Sequence, residues 1–337
     1  MLDPKRQNLI KKISELRGNS KIIAYLTSDR APLNTRIAED VVSLLQRHIL
    51  IDTERKKVSL FLYTRGGDMI APLKIVNLLR SHYNEFEILI THYAQSAGTL
   101  ISLGADSIIM TRLAELSPVD PTTTHPFNPT VASQNPSVPA QPRPINVEDV
   151  NSYFLFATEK AKVNDKDMDK VYSYLINNAH KDNAIHPLSL GNVYRGYRMA
   201  RKLAERMLKM HYKGFFRTKR IAKLVDALTG KIPTHDYPIF RDEARELGLK
   251  VEYASTELES LMFELLSNYT NVMNIGRPFN PVEILGSEQN KEFSSIGAFV
   301  ESVGVCDTFT FKGIIKRDAD TPPRISMNIV SSKWERI

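Results

Sequence analysis

The chain has 337 residues, enough for one large domain with an appendage or for two domains with an ample core. With 45 basic against 38 acidic side chains the formal charge is +7, an excess that permits contact with nucleic acid or anionic lipid without demanding it. A single cysteine, Cys306, excludes an intramolecular disulfide framework and any cysteine-rich zinc site, and it fits a reducing compartment.

At the N-terminus Asp3, Lys5, Arg6, Lys11, Lys12 and Glu15 alternate with Leu2, Leu9, Ile10 and Ile13, so the apolar core of a signal peptide is missing. The best candidate for a membrane span, residues 86–110, is interrupted by His92, Gln95 and Asp106. The expectation is a soluble, cytoplasmic protein. Apolar runs predict strands over residues 21–26, 58–63, 86–91 and 107–111. Between them, helices are expected over 37–49, with Val41, Val42, Leu44 and Leu45 as the apolar face, over 70–80 and over 97–104. Strands alternating with helices indicate parallel βαβ units.

Residues 121–144 carry seven prolines among Thr, Ser, Asn and Gln, which predicts a long loop without regular structure, either a mobile lid or an insertion. Helical patterning resumes over 147–228, with breaks near 180–189 and at Gly214. Within it, residues 194–223 are strongly basic, with Arg195, Arg198, Arg201, Lys202, Arg206, Lys209 and Arg220 among the cations and Glu205 as the one acid. A solvated helix face accounts for this, and an acidic partner or nucleic acid is the functional alternative. Beyond residue 252 a helix is expected over 256–271 and strands over 308–315 and 324–329, the turn between them holding Asp318, Asp320, Pro322 and Pro323. These form a small C-terminal α+β module over 253–337.

The chemistry concentrates where the strands end. Tyr93-Ala94-Gln95-Ser96-Ala97-Gly98-Thr99 places a serine between a strand and a helix, where its hydroxyl can face solvent and the helix start can stabilise negative charge. A serine before a helix is also a common N-cap. The preceding strand ends in Arg65-Gly66-Gly67-Asp68, a glycine pair able to turn a backbone amide toward that hydroxyl. In a parallel sheet the C-terminal strand ends share one edge, where ligands bind. A nucleophile and an oxyanion hole, formed by the amides of Gly67 and Ala97, follow from this arrangement. No GxGxxG follows any strand, so no dinucleotide is expected; residues 191–196 have P-loop spacing but lack the Lys-Ser/Thr pair. No close His/Cys cluster offers a metal site, and no cofactor is expected.

Taken together, Arg65-Gly66-Gly67-Asp68, Ser96-Ala97-Gly98-Thr99, Leu116-Ser117-Pro118-Val119-Asp120-Pro121, Thr234-His235-Asp236-Tyr237-Pro238-Ile239 and Glu243-Ala244-Arg245-Glu246-Leu247-Gly248-Leu249 resemble the serine dehydrogenase proteinase family. That family is similar to the Clp protease proteolytic subunit and to signal peptide peptidase A, within the Clp/crotonase fold. The resemblance covers about residues 20–252. It implies an α/β fold with a parallel-sheet ββα spiral core, beside which the patterning sets the helical arm over 147–228, and it leaves the C-terminal extension over 253–337 unexplained. It also implies a serine peptidase acting on peptide or protein substrates, assembled as a homo-oligomer. Carried over residue by residue, it makes Ser96 the nucleophile, Asp120 the orienting acid and His235 the general base. Asp120 also reads as a turn residue before Pro121, and His235 as a surface histidine. His125 is a substitute base from the proline-rich loop, and Lys160 or Lys162 a substitute by likeness to serine–lysine dyads. Two other functions stay open on the same residues: a crotonase-like acyl-CoA enzyme, which needs the oxyanion hole and no serine, and a non-catalytic oligomeric scaffold.

Overall fold

The computed structural model describes residues 2–131, 141–177, 185–232, 234–318 and 324–337. Helix α1 (Pro4–Leu16) starts where the Asp3 carboxylate accepts from the amides of Lys5 and Arg6. Its Leu9, Ile10 and Ile13, at helical spacing, enter the core. Strand β1 (Lys21–Thr27), helix α2 (Val41–Leu50), strand β2 (Lys57–Thr64), helix α3 (Ala71–His82), strand β3 (Glu85–Ala94), helix α4 (Ala97–Leu103) and strand β4 (Ser107–Met110) follow in order. β1, β2, β3 and β4 pair in parallel. β1 buries all its residues and β2 all but the first, as a parallel sheet covered on both faces requires.

Helix α2 begins four residues later than its apolar pattern predicts because Ile37 forms a parallel bridge with Gly67. The amide of Ile37 donates to the carbonyl of Gly66 (2.9 Å), and the amide of Asp68 to the carbonyl of Ile37 (2.8 Å). The two-residue strand β5 (Glu115–Leu116) then adds to the end of β3.

Residues Ser117–Tyr237 form a compact unit of their own. Its proline-rich segment is not wholly irregular. β6 (Thr122–Thr123) and β7 (Thr130–Val131) pair antiparallel with β9 (Ile145–Asn146) and β8 (Gln141–Pro142), respectively. Prolines, which lack the amide a ladder needs, fit the two-residue length of these pairings. The expected loop also includes residues 132–140, which lie outside the described residues, as do 178–184 of the expected helical break. α5 (Val147–Leu155), α6 (Met168–Asn177), α7 (Pro187–Lys209) and α8 (Arg217–Asp226) supply the helical arm, with π-helical turns at Phe156–Lys160 and Ala227–Lys231. Val193, Ala200, Leu203, Ala204, Met207 and Leu208 form the buried stripe of α7, so its arginines are left outside.

The chain then adds β10 (Ile239–Phe240), α9 (Arg241–Leu247), β11 (Val251–Tyr253), α10 (Thr256–Met273), α11 (Pro281–Leu285), β12 (Asn290–Ser302), β13 (Val305–Arg317) and β14 (Ile325–Arg336). Of the turn before β14, residues 319–323 lie outside the described residues. The antiparallel meander β12–β13–β14 joins the main sheet through β12, which pairs antiparallel with β1. The sheet path runs β10-β5-β3-β2-β1-β12-β13-β14, with β4 bridging β3 to β11. Residues 1–116 and 238–337 thus form the second compact unit, which holds the whole sheet.

A polar staple fastens α2 to the meander. His48 Nδ1 lies 2.9 Å from Ser302 Oγ, and its Nε2 lies 3.0 Å from Asp307 Oδ2. All three side chains are buried, and burial pulls the His48 pKa down to about 4 although Asp307 acts the other way. The composition is that of a Ser-His-Asp triad. Ser302, however, is fully buried at the end of a strand, with no exposed face for a substrate.

Candidate active site

Two turns meet at the carboxyl ends of β2 and β3. The Thr64 carbonyl accepts from the Gln95 amide (3.1 Å), tying the turns together. Thr64 Oγ1 accepts from the Gly66 amide (3.0 Å) and from Thr27 Oγ1 (2.8 Å), which fixes the first turn from below. Gly66 has φ +112°, and a Cβ there would stand 2.9 Å from Ser96 Cβ and 3.4 Å from Ser96 Oγ. A Cβ on Gly67 would stand 2.2 Å from the Ile37 carbonyl oxygen. Only glycine allows the first turn to lie this close to the serine.

Ser96 itself has φ 52° and ψ −106°, a conformation that L-residues with side chains adopt only under constraint. It is the sharp strand-to-helix geometry that lifts a nucleophile clear of the sheet, and it costs on the order of 1–3 kcal/mol. The neighbourhood holds it there. All seven residues of α4 are buried. Gly98 sits where a Cβ would be 2.7 Å from Thr64 Cγ2, and Gly104 where one would be 2.6 Å from a Val76 methyl, so α4 packs directly on β2 and on α3. Ser96 is partly exposed. Among the described residues, the amides of Gly67 and Ala97 donate to no acceptor, and both belong to the backbone that surrounds the serine.

A polar and aromatic wall stands beside these turns. Arg65 stacks on Tyr93 with its guanidinium carbon 3.5 Å from the ring centroid. It donates to Asp29 Oδ2 (3.1 Å) and to Gln95 Oε1 (3.2 Å), and Gln95 Nε2 donates to Glu115 Oε1 (2.6 Å). Tyr63, Arg65, His92, Tyr93, Asp29 and Arg277 line a cavity of about 620 Å³. Burial, aided by the Arg65 charge, lowers the His92 pKa, and burial raises that of Glu115.

The structure brings Ser96, Gly67 and Ala97 together in the sheet-bearing unit, while Asp120, His125, Lys160, Lys162 and His235 all belong to the other unit. Asp120 is buried there, and its carboxylate oxygens have no donor at hydrogen-bond distance among the described residues. Burial pushes its pKa up to about 6; the Asn146 side chain acts against this, the Asp149 charge adds to it, and the Glu148 amide opposes it least. His235 lies on a turn, half-buried. His125 Nδ1 accepts from the Phe127 amide (3.3 Å). Lys160, at the end of a π-helical turn, and Lys162 are both exposed. A larger cavity, about 910 Å³, lies in this unit between α7 and α8 and contains none of these five residues.

Residues 2–189 match the family of ClpP-like SDH-type serine proteinases. The chain belongs to that family. As an SDH-type proteinase it is similar to two uncharacterized proteins of Methanocaldococcus jannaschii. MJ0137 is 30% identical over 228 residues, 67% of this chain and 64% of the relative, so the chain spans just under two thirds of that protein's length. MJ1495 is 27% identical over 275 residues, covering 80% of this chain and 78% of the relative. Among solved structures, a mutant of the 1510-N membrane-bound stomatin-specific protease aligns over 73% of this chain and 87% of its own, at 18% identity and a TM-score of 0.36.

The positive φ of Ser96 and the contact of Gly66 with it are invisible in a sequence, although the Gly-Gly pair signals a tight turn. Arg65 and Gln95, which the motifs contain, carry no residue-type signal that marks them as part of the site. Their signal is positional, since each stands immediately before one of the site's turns.

Proposed function

We propose that this SDH-type proteinase is a peptidase that forms an acyl-enzyme on Ser96. The observation that carries the reading is the constrained backbone of Ser96 pressed against Gly66, with the amides of Gly67 and Ala97 beside it. Strain at one serine, supported on every side, is what a positioned nucleophile requires. Ser96 Oγ attacks the scissile carbonyl and gives its proton to His235. The developing oxyanion takes hydrogen bonds from the amides of Gly67 and Ala97. The imidazolium returns the proton to the leaving amine, and water then repeats the cycle on the ester. Asp120 holds the imidazole. His235 is preferred to Lys160 and Lys162 because both lysines are exposed, and a lysine base needs burial to shed its charge.

The substrate is a peptide or protein. Its main chain runs beside Gly66 and Gly67, and the cavity lined by Tyr63, Tyr93 and Arg65 receives a side chain. We further propose a homo-oligomer, to be tested by light scattering, where a monomeric mass at micromolar concentration refutes it. Buried Cys306 fits a cytoplasmic location, and among the described residues no helix is long and apolar enough to cross a membrane.

A fluorophosphonate probe tests the central step. Label on Ser96 and loss of peptide hydrolysis in Ser96→Ala support it. Full peptide turnover by Ser96→Ala overturns it, and so does a wild type that neither takes the label nor hydrolyses peptides, which is how a crotonase-like enzyme or a scaffold would behave.

A further inference from the structure

We propose that the turn joining α7 to α8 docks the protein reversibly on an anionic phospholipid bilayer. Phe215 and Phe216 are 93% and 75% exposed, more than any other large apolar side chain among the described residues. Gly214, at φ +98°, shapes the turn that presents them. The rings stand edge to face with centroids 5.2 Å apart, so they form one wedge. Neither is needed to pack the helices, because Ile221, Leu224 and Val225 of α8 and Leu203, Met207 and Leu208 of α7 already fill the interior. An isolated exposed ring needs no explanation; two adjacent rings at the apex of a hairpin do.

The charge around the wedge says what covers it. Lys213, Arg217, Lys219 and Arg220 are all exposed. No acidic residue occurs from Arg206 to Val225, and Glu205 just before them is paired with Lys209. α8 turns its apolar stripe inward and leaves Arg217, Lys219 and Lys223 exposed, while the Arg220 guanidinium stacks 4.9 Å from the centroid of the Tyr212 ring. Arg195, Arg198 and Lys202 line the neighbouring cavity and extend the same positive field along α7. Aromatic side chains that enter the interface, surrounded by cations that meet headgroup phosphates, are the components of a surface-lying anchor. Nucleic acid would also answer the charge. It stacks its bases in a groove that tracks the backbone, whereas these rings sit at the apex of a turn. Among the described residues no helix is long and apolar enough to cross a membrane, and the proposed attachment requires none.

The test uses the full chain with extruded vesicles of phosphatidylcholine alone or of equal parts phosphatidylcholine and phosphatidylserine. Wild type is expected to sediment with the anionic vesicles, not with the neutral ones, and to be released by high salt. The double variant F215S/F216S, checked for folding by circular dichroism, is expected to bind about tenfold or more weakly, as is K219E/R220E. As a measure of depth, Phe216→Trp in a Trp334→Phe background is expected to be quenched by brominated lipid. Absence of sedimentation with anionic vesicles overturns the proposal, as does undiminished binding by F215S/F216S. A fall in solution mass caused by F215S/F216S, with wild-type vesicle binding retained, overturns it in favour of a subunit contact. Tight binding of a single-stranded oligonucleotide without vesicle binding overturns it in favour of nucleic acid.

Discussion

Replacing Gly66 with alanine perturbs the nucleophile without touching it. The added methyl would begin 2.9 Å from Ser96 Cβ and 3.2 Å from the Gln95 carbonyl oxygen, on a backbone at φ +112°. Carbon atoms pack at about 3.5–4.0 Å, so the two turns must part by roughly 0.6–1 Å. Neither can yield easily, since the Gly66 carbonyl is held by Ile37 and α4 is buried throughout. Overpacking and the unfavourable φ together should cost about 2–4 kcal/mol, less than the stability of most domains. A nucleophile misplaced by about 1 Å should lose on the order of a hundredfold in rate. The assay pairs the second-order rate of fluorophosphonate labelling at Ser96 with urea unfolding at the same temperature. A variant that unfolds earlier yet labels at the wild-type rate would refute the idea that Gly66 sets the serine's position.

Ser96→Gly should abolish labelling while raising the unfolding free energy by about 1 kcal/mol, because glycine tolerates φ 52°; urea melts that show a loss of stability would deny the strain. His48 binds its proton less tightly folded, at about 4, than unfolded, so its contribution is present above pH 6.5 and lost as pH falls through 4. The size is about 3 kcal/mol, and His48→Gln should remove that part of the pH dependence while Ser96 labelling persists. Asp120 runs in the opposite sense. Its pKa rises to about 6 on folding, so the stability it lends is complete below the unfolded pKa and is lost as pH climbs through 6. Asp120→Asn should therefore stabilise the protein above pH 6 by about 2–3 kcal/mol and slow labelling by several orders of magnitude; unchanged labelling would remove Asp120 from the mechanism.

The parallel strands were legible because burial on both faces leaves nearly unbroken apolar runs, as in Ile22-Ile23-Ala24-Tyr25-Leu26. Helix starts were less so. Nothing local shows that Ile37 will be taken by Gly67, thirty residues on, instead of opening α2. β12 escaped for a related reason. Its first half is serine-rich, and Gly297 looks like a breaker, yet it lies in a bulge where Phe311 and Thr35 leave no room for a Cβ. At the site, the strand-to-helix serine and the glycine pair could be read from residue type. The backbone angle of Ser96 and the buried state of Asp120 could not, since both arise from packing against distant segments. A Ser-His-Asp set is likewise no guide by itself, because His48, Ser302 and Asp307 form one for purely mechanical ends.

The division of labour between the two units bears on how such an enzyme can change over evolutionary time. Ser96, Gly67 and Ala97 sit on a framework built from the two ends of the chain, whereas Asp120, His125, Lys160, Lys162 and His235 all come from the segment inserted between them. Under the proposed assignment, drift or replacement within the insertion exchanges the proton acceptor while the reactive hydroxyl and its amides stay in register. A substitution confined to that segment can thus change the proton acceptor without the backbone of Ser96 having to be rebuilt.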